Sequence, residues 1–115
     1  MNALTLIGIV SLSQKVKDLA DNAENYEQLV RGAFSTAQKV ADLWKDVPKQ
    51  FPDIEDMTGI PADQNLFFRM QLTTETFDRD GLLELPIDAK KNLEKFIYVF
   101  AEKSLKLATK LQEAS

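Results

Sequence analysis

Residues 12–47 read LSQKVKDLADNAENYEQLVRGAFSTAQKVADLWKDV. Within them Leu12, Val16, Leu19, Ala23, Tyr26, Val30, Ala33, Ala37, Val40, Trp44 and Val47 recur at alternating spacings of four and three. That rhythm keeps one side of an α-helix against another surface. With Val16 at heptad position a, Ala23, Val30, Ala37 and Trp44 share position a and the remaining six fall at d. The outward positions, from Lys17 and Asp18 to Lys45 and Asp46, are polar except for Gly32. This partition predicts one helix from about residue 10 to residue 46, roughly 55 Å long at 1.5 Å per residue. Asp21 with Glu24 offers a capping box that would open a second helix. The apolar register does not reset there, so one continuous helix is preferred, and a break near Asn22 is the alternative.

Downstream, Pro48, Pro52 and Pro61 forbid a continuing helix, and residues 47–61 read as a connection inside one domain. Its Phe51, Ile54, Met57 and Ile60 carry enough apolar surface to lie on a bundle. A second helix is expected over about 62–79, with Asp80-Gly81 as its stop and Leu82–Pro86 as an extended link. Asp88 is placed to cap a third helix over about 89–112. There Leu93, Ile97, Phe100, Ser104, Leu107, Leu111 and Ala114 repeat the four-three spacing, while Phe96, Ala101 and Ala108 widen the stripe. The expected fold is all-α, a small helical bundle of one long and two shorter helices, antiparallel, spanning residues 1–115 as a single domain. A helix longer than its neighbours would leave part of its seam uncovered, which predicts self-association.

Composition narrows the chemistry. The 115 residues contain no histidine and no cysteine, so Ser-His-Asp and Cys-His sites cannot be built from this chain. Net charge is −4. Residues 1–87 hold 8 Lys/Arg against 14 Asp/Glu, whereas residues 88–115 hold 6 Lys against 4 Asp/Glu. An acidic body disfavours nucleic acid, because neutralising phosphates requires a basic surface. The apolar run from Ala3 to Leu12 ends at Lys15, short of the roughly 20 residues a bilayer-spanning helix needs. It also lacks the basic start of a signal peptide, so a cytoplasmic location is expected.

Candidate sites follow from residues that break the inside–outside pattern. In the Ala3–Leu12 arm, apolar side chains point in every direction, and Leu4, Ile7 and Val10 are candidates for a partner interface or a buried core. Tyr98, Val99 and Leu105 fall outside the last helix's inner stripe and are candidates for the same interface or for cover by a third layer. Asp53, Glu55, Asp56 and Asp63 read as a solvated acidic loop ahead of a cation site. Asp78-Arg79-Asp80-Gly81 fails as an EF-hand, because the twelfth position would be Ile87, which cannot coordinate. Trp44 is expected in the core. Lys90, Lys91, Lys95, Lys103, Lys106 and Lys110, interrupted by Glu94, Glu102 and Glu113, read as a solvated helix face.

No catalytic residue, cofactor or metal site is expected. The sequence points to a non-catalytic helical interaction module with a protein partner, a second copy of itself, or both. The alternatives are a lipid-surface protein and a bundle enzyme built on carboxylates, Lys or Tyr. No small-molecule substrate is expected, and membrane contact is disfavoured.

Overall fold

The computed structural model describes residues 3–47 and 79–114. Four helices account for nearly all of them, and none of the described residues forms a strand. Helix α1 spans Ala3–Asn22. Helix α2 is a joined helix made of Tyr26–Gln28, a wider π-helical stretch Leu29–Phe34, and Ser35–Trp44. Helix α3 is Arg79–Leu83 and α4 is Ile87–Ala114. The all-α bundle expected from the sequence is therefore present. The expected connection over 47–61 and all but the last residue of the expected helix over 62–79 lie outside the described residues.

The single long N-terminal helix is not present. The chain leaves helical geometry at Ala23–Asn25 and folds back. Three side chains encode the break. The Asn22 amide donates to the Asp18 carbonyl at 2.7 Å, satisfying an acceptor in the last turn of α1. Asn25 caps α2, its Oδ1 accepting from the Gln28 amide at 2.9 Å. Gln28 reaches back, its Oε1 accepting from the Glu24 amide at 2.9 Å. This is a capping box shifted four residues from the Asp21–Glu24 pair that the sequence suggested.

The two arms run antiparallel. A Cβ built on Gly8 would lie 3.2 Å from Leu43 Cδ1, and one on Gly32 would lie 3.7 Å from Leu19 Cδ2. The start of α1 thus meets the end of α2, and the two converge towards the turn. The apolar register survives the break because Ala23, the first residue of the turn, and Tyr26, the first of α2, both pack at the rim of the core. Of the eleven residues in the seam, Val16, Val30, Ala33, Ala37, Val40, Trp44 and Val47 are buried and the rest partly buried. Because α1 and α2 are nearly equal in length, the hairpin covers its own seam, which removes the overhang that predicted self-association.

Helix α1 is the middle element. It packs against α2 on one side and α4 on the other, while contact between α2 and α4 is slight. Its Leu6, Ile9, Ser13 and Val16 are almost fully buried. The arm therefore begins the helix at Ala3, not near residue 10. Lys17 of α1 lies beside Tyr98 of α4, while Tyr26 lies beside Lys90 and Trp44 beside Ser104. Helix α4 is consequently antiparallel to α1 and parallel to α2. At 1.5 Å per residue its 28 residues reach about 42 Å, close to the molecule's longest dimension of 41 Å.

Two further boundaries differ from expectation. Asp80 and Gly81 do not stop a helix; they lie inside α3. Leu82 is fully buried and Leu83 and Leu85 pack beside it, so continued winding places an apolar side chain into the core where an extended link would not. Helix α4 opens at Ile87, with the Pro86 carbonyl accepting from the Lys90 amide at 2.9 Å. Asp88 lies in the first turn, where its carboxylate favours the helix dipole without being the cap. The inner stripe of α4 is as expected: Leu93, Ile97, Phe100, Ala101, Ser104, Ala108 and Leu111 are buried.

One polar contact crosses the core. Trp44, 2% exposed, donates its indole N–H to Ser104 Oγ at 3.1 Å. The exposed ion pairs Arg31–Glu27, Lys45–Asp42 and Lys106–Glu102 are local, and pairs of this kind contribute little.

Removing the turn's cap with Asn25→Ala should cost about 1 kcal/mol, measured by urea unfolding. Ser104→Ala should cost about 1–3 kcal/mol by stranding the Trp44 N–H in the core. An unchanged unfolding midpoint in Ser104→Ala would show that the bond carries no stability.

Candidate functional site

Among the described residues, and apart from the lone exposed Ile87 that opens α4, two places depart from a bundle that only packs and solvates. The first is the outer stripe of α1. Along it Ser11, Gln14, Lys15 and Asp18 are exposed and polar, as a solvent-facing stripe should be. The stripe begins, however, with Leu4, 74% exposed, and Ile7, 51% exposed. These two sit three residues apart and so share one face. The arm that the sequence left undivided is thus split by side: Leu6 and Ile9 enter the core, Val10 packs at its edge, and Leu4 and Ile7 face outward.

The other three interface candidates lie on α4. Tyr98, Val99 and Leu105 are each partly buried. Lys17 Nζ lies 5.8 Å from the Tyr98 ring centroid. Val10 is seven residues before Lys17, and Leu105 seven after Tyr98. In an antiparallel pair those steps coincide, which places Val10 and Leu105 two turns further along the edge that Lys17 and Tyr98 share. Val10 and Leu105 therefore belong to one end of the α1–α4 edge and Tyr98 to the other, while Leu4 and Ile7 stand on the outer face of α1, Leu4 one turn before the Gly8 that faces Leu43 of α2.

The second place is a cleft of about 300 Å³ where the α1–α2 turn meets α4. Its walls include Asp21 from α1, Glu24 and Asn25 from the turn, Tyr26 and Leu29 from α2, and Glu94 and Tyr98 from α4. Lys90 Nζ lies 5.0 Å from the Tyr26 ring centroid. Both cation–ring contacts cross between helices. The Tyr26 hydroxyl is buried and has no hydrogen-bond partner. Burial, and secondarily the charge of Glu94, raise its pKa above the ordinary tyrosine value. The sequence presented Tyr26 only as a polar member of an inward face. It did not bring Asp21, Glu24, Glu94 and the two tyrosines together, because a continuous helix has no turn to close over α4.

Other candidates resolve simply. Trp44 is in the core, as expected. Lys91, Lys95, Lys103, Lys106 and Lys110 are exposed, and Lys106 pairs with Glu102 one turn back, the behaviour of a solvated face. Asp53, Glu55, Asp56 and Asp63 lie outside the described residues. Among the described residues no group of acidic side chains converges as a metal site would require, and no helix is long and apolar enough to cross a membrane. Comparison with protein families, curated proteins and solved structures finds no match to this chain.

Tyr26→Phe should leave stability unchanged or raise it by up to about 1 kcal/mol, since it deletes an unsatisfied buried hydroxyl. The pH dependence has a definite sign. A tyrosine whose pKa is raised on folding stabilises fully below pH 10, and that contribution is lost as pH rises through the folded pKa. The difference between wild type and Tyr26→Phe in chemical unfolding should therefore be constant to about pH 10 and shift against the wild type above it.

Proposed function

We propose that the protein is a non-catalytic helical interaction module whose partner, another protein or a second copy of this chain, docks on the outer face of α1 near its start. The supporting observation is the pair Leu4 and Ile7, large apolar side chains exposed at the head of an otherwise polar stripe. Burying one such side chain at an interface contributes about 1.5–3 kcal/mol. Val10 and Leu105, both partly buried, lie on the α4 side of that face, and Tyr98 with its neighbour Val99 lies further along the same edge. The acidic balance of the chain fits a partner other than nucleic acid. A cytoplasmic location and the lack of a small-molecule substrate belong to this same reading.

The test is Leu4→Asp combined with Ile7→Asp. Both side chains are largely exposed, so the thermal midpoint should move by no more than a few degrees. Wild type should show either concentration-dependent self-association by light scattering or a co-purifying protein from its native host, and the double variant should lose it. Identical behaviour of the two proteins in both measurements would refute the assignment.

A further inference from the structure

We infer that the cleft at the α1–α2 turn is a binding site for an organic ammonium group, with Glu94, Tyr26 and Tyr98 as its principal contacts. Helix periodicity arranges the cleft as two facing rows. On α4, Lys90, Glu94 and Tyr98 recur every fourth residue and so stack on one face. On α1, Lys17 and Asp21 do the same, and Glu24 follows in the turn. Each row sends its lysine across to a ring on another element: Lys17 to Tyr98 at 5.8 Å and Lys90 to Tyr26 at 5.0 Å. Both distances lie within the roughly 6 Å over which a cation is attracted to a ring face. Both aromatic residues of the cleft thus already attract an alkylammonium group of the chain, although neither lysine lines the cleft itself.

The kind of cation follows from what the walls offer. Three carboxylates and no basic side chain line the space, leaving it net negative. Those carboxylates do not converge as a hard metal ion would need. The Tyr26 hydroxyl is buried, so what this residue offers a ligand is its ring. A diffuse negative field over aromatic faces suits a large, weakly hydrated cation. A volume of about 300 Å³ sits at the small end of ligand pockets, enough for one such group. The ammonium can come from a free amine or from a lysine side chain of a protein, and both chemistries use the same contacts.

The experiment is a titration of the intact protein followed by the ring resonances of Tyr26 and Tyr98. One arm uses tetramethylammonium chloride and the other N-acetyl-lysine methylamide, each against sodium chloride at equal ionic strength. Both rings should shift and saturate. Glu94→Gln, an exposed substitution, should weaken binding about threefold or more, and Lys90→Met should strengthen it by a similar factor by uncovering Tyr26 and removing a competing charge. Tighter saturation by the lysine mimic assigns the site to a protein side chain, and tighter saturation by tetramethylammonium assigns it to a free quaternary amine. Shifts no larger than those in sodium chloride, or weaker binding in Lys90→Met, would overturn the inference and leave the two lysines as clasps between helices.

Discussion

The bundle depends on the reversal at Ala23–Asn25. A seam of eleven inward residues could be satisfied by a second chain or by the chain's own return, and the turn selects the return. The choice costs three residues of helix and is offset locally. Asn22, Asn25 and Gln28 supply hydrogen bonds to backbone groups that the break would otherwise leave to water. Once the chain reverses, α1 acquires α2 on one side and keeps its other side for α4. Helix α4, with its buried Ile97 and Phe100, is built mainly on that second side of α1.

The middle position of α1 explains its composition. A helix covered on two sides can expose only a narrow stripe, and the residues it buries must let neighbours come close. Gly8 beside Leu43 and the buried Ser13 are the small residues that permit this. The Ser13 hydroxyl has no partner. Where α2 takes the wider winding of Leu29–Phe34, the Thr36 hydroxyl donates to the Gly32 carbonyl at 3.0 Å, compensating part of the disturbed ladder.

Helix content and the inner faces were legible in the sequence because periodicity is a direct readout of burial. Leu93, Ile97, Phe100 and Leu111 were placed correctly by spacing alone, as was Trp44. The reversal was not legible from the same signal. A three-residue turn that opens with Ala23 and leads into Tyr26 preserves the heptad count, so the register alone reads straight through it. The distinguishing information was polar and local: Asn25 followed three residues later by Gln28. The stop assigned to Gly81 failed for the opposite reason, since a tertiary demand, the burial of Leu82, overrode a local preference. The cleft was illegible because its members come from three helices, and only the reversal brings them together.

The order of the helices along the chain has a kinetic consequence. The flank of α1 that α4 covers belongs to the first element, whereas its cover comes from the last, more than sixty residues later. A hairpin of α1 and α2 can close early through nearby contacts, but the opposite flank must wait for a long loop to shut. Every newly made molecule therefore passes through an interval in which Ile9, Val16 and their neighbours have one wall missing, and for that interval the half-built bundle is adhesive.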